Sequence, residues 1–142
     1  MTKMTTGGCL CGAVRYALEG KLRDVVECHC EMCRRTHGHV SAYTAVPKSK
    51  LRLVEERGLT WYRSSKIARR GFCSICGSSL FWDATDEKHT SVAAGTLDSP
   101  TGLKTVVQIH GADAGDYYTP RSDIPLRADG SFAEDEQQRR DA

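Results

Sequence analysis

The chain has 142 residues, a hydrophobic share of 39% and a formal net charge of +2 at pH 7. This length is typical of one domain, and a charge so close to zero argues against a general attraction to nucleic acid or to an anionic membrane surface. No run approaches the roughly 20 apolar residues that a transmembrane helix requires. The first residues also lack the apolar segment of a secretory signal, so we expect a cytoplasmic protein.

Short apolar or alternating runs follow one another along the chain, separated by Gly, Pro, Ser and Asp, and this pattern predicts short β-strands. In chain order, the predicted strands are 13–18, 25–29, 40–46, 51–54, 59–62, 67–72, 79–82, 90–94 and 105–109. Helix is expected only at 31–37, and Asp-Ser-Pro-Thr-Gly at 98–102 predicts a turn. This spacing favours an all-β fold. The polar segment 128–142 is expected to be a mobile tail.

Seven cysteines lie in three tight groups along the chain, and their spacing is the strongest chemical signal in the sequence. The groups are Cys9-x-Cys11, Cys28-x-Cys30-x-x-Cys33 and Cys73-x-x-Cys76. An odd number of cysteines cannot all pair within one chain, and disulfides are uncommon in a reducing compartment. The pattern therefore favours metal ligation over a disulfide framework.

The first and third groups are chelating pairs, and each is followed directly by a glycine, Gly12 or Gly77. In a metal knuckle the chain turns sharply around the ion, and glycine permits the positive φ that such a turn needs. Four thiolates complete a tetrahedral zinc site, and a closed site of this kind stabilises a fold directly. We therefore expect Cys9, Cys11, Cys73 and Cys76 to hold a structural zinc.

The middle group offers three thiols, and three protein ligands leave a fourth zinc position open. One interpretation is a catalytic zinc, and the other is a second structural zinc completed by His29, His37 or His39. On a strand, Cys28 and Cys30 share a face and His29 points away, whereas His37 remains possible. An iron–sulfur cluster or a thiol redox centre is less well supported, because the spacing and the βαβ context that they require are missing.

At these residues the chain resembles the glutathione-dependent formaldehyde-activating enzyme family, whose members share a zinc-binding β fold called a β-tent. The resemblance covers residues 6–127, which we expect to form one domain. The matching stretches are GGCLCGAVRY at 7–16, CHCEMCRRTHG at 28–38, RGFCSICGSSL at 70–80 and VAAGTLD at 92–98.

The resemblance implies two zinc ions with different roles. A structural zinc would lie on Cys9, Cys11, Cys73 and Cys76, and a catalytic zinc on Cys28, Cys30 and Cys33. The family reaction condenses glutathione with formaldehyde to S-hydroxymethylglutathione, which is a carbon–sulfur lyase reaction in reverse. The expected partners are therefore a small-molecule thiol, glutathione or an analogue, and an aldehyde.

Glutathione carries two carboxylates, so its binding site should include cations, and arginine binds carboxylates in a bidentate manner. We nominate Arg34 and Arg70, which flank the second and third cysteine groups. The chain departs from the family pattern near the end of the domain. A His-Ile-aromatic sequence is replaced by Gln108-Ile-His110, and the position of a Trp is occupied by Tyr117 or Tyr118.

Two further functions compete with a lyase. The first is a non-catalytic zinc-binding module for protein interaction, because the related centromere protein V carries the same kind of domain. The chain has no long basic segment, which argues against nucleic-acid binding in that role. The second is redox or metal handling through Cys28, Cys30 and Cys33, which predicts ready oxidation of Cys30 or Cys33.

Overall fold

The structure, a computed structural model, describes residues 3–130. Within this range the chain forms ten strands and one α-helix, α1, and the prediction of an all-β fold with little helix is confirmed. The strands are β1 Met4–Gly8, β2 Arg15–Glu19, β3 Val25–Cys28, β4 Ser41–Pro47, β5 Leu51–Glu55, β6 Leu59–Arg63, β7 Ala68–Cys73, β8 Ser79–Ala84, β9 His89–Ala93 and β10 Thr105–Ile109. Helix α1 spans Glu31–His37, between β3 and β4.

Strand β1 is the one strand in residues 3–130 that the sequence pattern did not predict. Its sequence, Met-Thr-Thr-Gly-Gly, has low strand propensity. The strand exists because its backbone pairs antiparallel with β2 over its whole length, from Met4 opposite Glu19 to Gly8 opposite Arg15. Thr5 and Gly7 alternate inward while Met4 and Thr6 stay exposed. Tertiary pairing has overridden local propensity here.

The contacts divide the chain into two compact units, of which the first comprises the residues up to Leu22 and 44–102. This unit contains a three-stranded antiparallel sheet in the order β1-β2-β5 and four antiparallel strands in the order β9-β8-β7-β6. Tyr16 of β2 and Phe81 of β8 are fully buried, and their rings meet edge to face at 5.4 Å. The Tyr16 hydroxyl is bonded to Thr96 Oγ1 at 2.6 Å, so this buried phenol has a polar partner.

The second unit comprises residues 23–43 and the chain from Leu103 onward. Strand β3 lies between β10, which runs parallel to it, and the first residues of β4, which run antiparallel. The parallel pair aligns Ile109 with Cys28 and Gln108 with Glu27. The sequence pattern did not predict this pairing, because it joins segments about 80 residues apart and leaves no mark on the local alternation.

Backbone hydrogen bonds on the far side of β10 reach slightly past the predicted domain boundary at residue 127. Gln108 donates to Pro125 at 2.9 Å, and His110 donates to Asp129 at 2.8 Å. Residues 131–142, which form most of the predicted tail, lie outside the described residues. In the part of the chain that the structure describes, no helix is long and apolar enough to cross a membrane.

Gly58, in the turn between β5 and β6, packs directly against the first unit's cysteines. A Cβ at this position would lie 2.8 Å from both the Ala13 Cβ and the Cys73 Sγ. The Gly58 backbone is held there, because its N–H donates to Ala13 at 3.1 Å and its carbonyl accepts from Ser74 at 2.9 Å. Only a residue without a side chain fits between these neighbours.

We therefore expect Gly58→Ala to lower the free energy of unfolding by about 1–3 kcal/mol, the usual cost of overpacking a closely packed site. Gly95→Ala is the matched control, because a Cβ at Gly95 meets nothing within 4 Å. Thermal denaturation of both variants, with zinc content measured in the same samples, tests this expectation. Equal melting temperatures for the two variants would contradict it.

Candidate metal centres

Four thiols of the first unit converge on one point. Their Sγ atoms all lie within 4.8 Å of one another, and Cys9 and Cys73 are buried while Cys11 is exposed. Cys9 follows β1, Cys73 ends β7, and the other two lie in the turns that follow. The four members of this four-thiol group are Cys9, Cys11, Cys73 and Cys76.

The two halves of the four-thiol group are turns of the same construction. In each, the N–H of the first cysteine donates to the carbonyl oxygen five residues further on. Cys9 donates to Val14 at 3.0 Å, and Cys73 donates to Ser78 at 2.9 Å. A matching pair of backbone bonds therefore shapes both turns around their thiols.

Glycine adopts the predicted conformation in both turns. Gly12 has φ +84° and Gly77 has φ +83°, values that side chains of L-residues rarely adopt. The turn also aims backbone N–H groups at sulfur, since the Val14 N–H donates to Cys9 Sγ at 3.2 Å. Such bonds stabilise a thiolate, the form in which cysteine binds a metal.

The sulfur–sulfur distances suit a tetrahedral zinc ion. Cys9 Sγ lies 3.7 Å from Cys11 Sγ, and Cys11 Sγ lies 3.8 Å from Cys73 Sγ. A tetrahedron with Zn–S bonds of about 2.3 Å has edges of about 3.8 Å. None of the seven cysteines, which lie within residues 3–130, forms a disulfide, so no disulfide competes for these sulfurs.

The ionisation of the four-thiol group points to a cation as well. The Ser78 hydroxyl, 3.3 Å from Cys76 Sγ, and backbone N–H groups lower the pKa of Cys76 to about 5. The Ala13 N–H lowers the pKa of Cys11, but burial and the neighbouring thiols outweigh it and raise that pKa to about 11. Four thiolates this close repel one another, and a divalent cation removes the conflict.

The second unit gathers the remaining three thiols, Cys28, Cys30 and Cys33, within 4.8 Å of one another. We call them the three-thiol group. Cys28 ends β3, and Cys30 is the N-cap of α1, where its Sγ accepts the Cys33 N–H at 3.3 Å. The helix ends at Gly38, whose φ of +80° closes its last turn. Cys28 and Cys33 are buried, whereas Cys30 is half-exposed and forms the open side of the group.

No further His, Cys, Asp or Glu joins the three-thiol group anywhere in residues 3–130. The three candidates for a fourth ligand have other partners. His29 bonds Gln108 and Tyr118, His37 Nε2 lies 2.6 Å from the Tyr43 hydroxyl, and His39 Nδ1 lies 2.6 Å from the Tyr117 hydroxyl. The geometry therefore favours three protein ligands over a closed site.

The three-thiol group carries its own electrostatic conflict. The pKa of Cys28 is raised, first by hydrogen bonding with the Cys30 and Cys33 thiols and then by burial. The pKa of Cys30 is also raised, because contact with Cys33 and burial outweigh the lowering contact with Cys28. Three sulfurs this close together, two of them buried, cannot all ionise unaided, so the donor set fits a bound cation such as zinc.

Tyr118 connects His29, the histidine between the first two thiols, to a small cluster of rings. Tyr118 stacks on His29 with 5.5 Å between ring centroids, and it lies 4.7 Å from both His39 and Tyr117. Burial raises the pKa of Tyr118, a bond from the Gly115 N–H lowers it, and a negative charge on Cys28 raises it further. The sequence pattern had marked only Tyr117 and Tyr118, as departures from a family motif, and gave no role to His29 beyond excluding it as a ligand.

The two nominated arginines have different surroundings. Arg34, on α1, is half-buried, and its guanidinium donates to the backbone oxygens of His29 and Asp113, each at 3.3 Å. Arg34 is thus held beside the segment that carries the three-thiol group. Arg70 is buried in β7 of the first unit, opposite Tyr62 and Trp82. The role of both residues in substrate binding stays a prediction.

Comparison with known proteins gives three similarities. Residues 4–113 match the family model described as glutathione-dependent formaldehyde-activating enzyme. A Schizosaccharomyces pombe protein named as an uncharacterized lyase is 31% identical over 90 residues, which are 58% of this chain and 60% of that protein, so less than two thirds of the relative is matched. The crystal structure of a Rhodobacter sphaeroides protein shares the fold, with a TM-score of 0.56, 23% identity and coverage of 85% of this chain and 98% of the other.

Single substitutions should distinguish the two thiol groups. Cys76→Ser removes a ligand that joins distant segments of the first unit, so we expect loss of one zinc per chain together with unfolding or aggregation. Cys30→Ser removes a ligand from a group contained in six consecutive residues, so it should also lose one zinc but keep a cooperative unfolding transition near that of the wild type. Zinc analysis with thermal denaturation measures both effects. Equal loss of thermal stability would contradict the assignment of different roles.

Proposed function

The chain belongs to the glutathione-dependent formaldehyde-activating enzyme family, and on that premise we propose that it is a carbon–sulfur lyase. It would form or break the S-hydroxymethyl adduct of glutathione or of a related thiol. The observation that carries the proposal is the three-thiol group, which has no fourth protein ligand within residues 3–130 and one half-exposed sulfur, Cys30. The family match over residues 4–113 supports the same reading.

In this proposal Cys28, Cys30 and Cys33 hold the catalytic zinc. When bound, a zinc ion there supplies an exchangeable fourth position and lowers the pKa of a thiol that occupies it. Cys28 and Cys33 are buried, so the substrate would approach on the side of Cys30. Three thiolates bring one more negative charge than a divalent cation offsets, so the site suits a thiol better than it polarises a carbonyl.

The chemical step joins the substrate sulfur to the aldehyde carbon. The sulfur lone pair forms the C–S bond, the π electrons of the carbonyl move to oxygen, and that oxygen takes up the proton that the thiol has released. The reverse reaction breaks the C–S bond and regenerates thiol and aldehyde. No redox partner is needed, because carbon and sulfur are joined without net oxidation.

The four-thiol group would hold a structural zinc in this proposal. Its ligands come from the turn between β1 and β2 and the turn between β7 and β8, more than 60 residues apart in the chain. A metal that joins such distant segments stabilises the folded state directly. The proposed cofactors are therefore two zinc ions, one in each thiol group.

In this proposal Arg34 binds a carboxylate of the substrate. Two backbone carbonyl oxygens hold its guanidinium, which leaves further N–H groups of the five on this side chain for a ligand. Arg70, a buried side chain of β7, is the second residue that we propose for substrate binding.

One observation favours the alternative of a non-catalytic interaction module. Leu10 and Ile75 lie between the cysteines of the two turns of the four-thiol group, and they are 89% and 63% exposed. The convergence of the four thiols brings the two turns together, so these exposed side chains offer apolar contacts to a protein partner. This alternative requires no exchange chemistry at the three-thiol group, so a direct assay separates the two functions.

The first test is exchange between free glutathione and its formaldehyde adduct, followed by NMR with zinc counted in the same sample. We expect the zinc-loaded wild type to accelerate exchange and Cys30→Ser to return it to the rate in buffer. Acceleration that survives Cys30→Ser would remove the reaction from the three-thiol group. No acceleration of this or any other thiol tested, with both zinc ions present, would favour the interaction module.

A second test concerns Arg34. We expect Arg34→Gln to raise the KM for glutathione by roughly tenfold or more, the effect of losing one charge-assisted hydrogen bond. Arg35→Gln is the matched control, because Arg35 is exposed and paired with Glu31 at 3.0 Å. Cysteamine, a thiol without carboxylates, should show no such change in KM. An equal change with both thiols would mean that Arg34 supports the local structure rather than a carboxylate.

A further inference from the structure

A chain of buried hydrogen bonds leads from β10 to the tyrosine beside the three-thiol group. Gln108 Nε2 donates to the backbone oxygen of Arg121 at 2.9 Å, and Gln108 Oε1 lies 2.9 Å from His29 Nε2. The other ring nitrogen, His29 Nδ1, is bonded to the Tyr118 hydroxyl. Gln108 is fully buried and His29 is 1% exposed, so water is excluded from the bond between them.

The direction of each bond follows from the first one. The Arg121 carbonyl only accepts, so the NH₂ of the Gln108 amide must face it, and the amide oxygen must face His29. That oxygen also only accepts, so His29 Nε2 must carry the hydrogen. In a neutral imidazole the Nδ1 atom is then an acceptor, and the Tyr118 hydroxyl donates to it.

Tyr118 is thereby fixed in one orientation. Its hydroxyl hydrogen points at His29, its ring stacks on the imidazole at 5.5 Å, and its oxygen also accepts from the Gly115 N–H. The oxygen keeps one lone pair for a further donor. His29, to which this hydroxyl is bonded, lies between Cys28 and Cys30, so Tyr118 is next to the segment that carries the three-thiol group.

We propose that Gln108 is a positioning residue that holds His29 as the Nε2–H tautomer, so that Tyr118 presents its oxygen as a hydrogen-bond acceptor to a hydroxyl group of the substrate. The substrate part of this inference rests on the proposed function. An S-hydroxymethyl adduct carries such a hydroxyl, whereas an S-acyl thioester offers only a carbonyl oxygen. The site thus distinguishes a hemithioacetal from a thioester by the direction of one hydrogen bond.

The position of Gln108 makes the inference specific to this chain. A histidine here could donate to His29 Nε2 or accept from it, because an imidazole nitrogen takes either role. A glutamine whose NH₂ is already committed to Arg121 can only accept. Gln108 therefore fixes the direction of the Tyr118 bond, which a histidine at this position would leave open.

Nitrogen NMR of the zinc-loaded, full-length protein tests the tautomer without any activity measurement. With ¹⁵N-histidine labelling, the signal of His29 is assigned by its loss in His29→Asn, and long-range proton–nitrogen couplings show which ring nitrogen is protonated. We expect a single Nε2–H tautomer in the wild type and in Tyr118→Phe. Tyr117→Phe is the matched control, because Tyr117 bonds His39, and it should leave the His29 signal unchanged. An Nδ1–H or doubly protonated ring in the wild type would overturn the proposal.

Gln108→Met removes the acceptor at nearly constant volume, and we expect a mixture of tautomers in this variant. If it does not fold, the wild type and Tyr118→Phe still decide the tautomer. In the adduct-exchange assay, Tyr118→Phe should lower kcat about tenfold, the effect of one hydrogen bond. Gln108→Met should lower it by no more than that, and the double variant should match Tyr118→Phe, because Gln108 acts through Tyr118. Additive losses would contradict the argument.

The proposed function and this inference can fail separately. If the wild type does not accelerate exchange, the lyase proposal fails, but the His29 tautomer in the wild type and in Gln108→Met still supports or overturns the positioning role. If exchange is accelerated and S-formylglutathione inhibits as strongly as the S-hydroxymethyl adduct binds, the discrimination between hydroxyl and carbonyl is wrong.

Discussion

The rest of this molecule depends on one constraint: the backbone holds cysteine sulfurs so close together that their thiolates would repel one another. In each unit, sulfurs lie within 4.8 Å of one another, and neighbouring thiols raise the pKa of Cys11 and Cys28. Cysteines that only filled space in a core would not need this arrangement. Backbone N–H groups and the Ser78 hydroxyl favour ionised sulfur in the four-thiol group, so that group suits a cation that balances those charges.

The two thiol groups use this constraint differently because they differ in sequence range. The four-thiol group joins turns more than 60 residues apart, so it forms only when the first unit has folded, and a metal bound there adds its binding energy to that fold. The three-thiol group lies within six residues, where the end of β3 and the cap of α1 set the geometry locally. A local group can exchange a ligand without loosening distant strands. Three ligands within six consecutive residues therefore suit a site that exchanges a ligand better than a site that stabilises the fold.

Local features of the structure were predictable from the sequence, and long-range pairings were not. Alternation located nine strands and α1, and the glycine after each chelating pair predicted the left-handed turns at Gly12 and Gly77. Strand β1 was not predicted, because its Thr-Gly sequence depends on pairing with β2 for its conformation. The hydrogen bonds of His29 with Gln108 and Tyr118 were not predicted, because those residues lie 79 and 89 positions further along the chain. A parallel strand pair, which local sequence patterns do not encode, brings them near.

The bond between Gln108 and His29 links strand β10 to the segment that carries the three-thiol group. Gln108 is not a member of the three-thiol group and bonds His29 instead. The spacing of the cysteines therefore carries no information about Gln108. Yet an amide and an imidazole differ in which hydrogen-bond directions they permit, and a buried network transmits that difference because every atom in it must be satisfied. In the proposal made above, specificity for the adduct is therefore set by a residue outside the three-thiol group. The cysteine pattern indicates a metal-binding site, and the bonds of His29 fix the orientation of Tyr118 in the same unit.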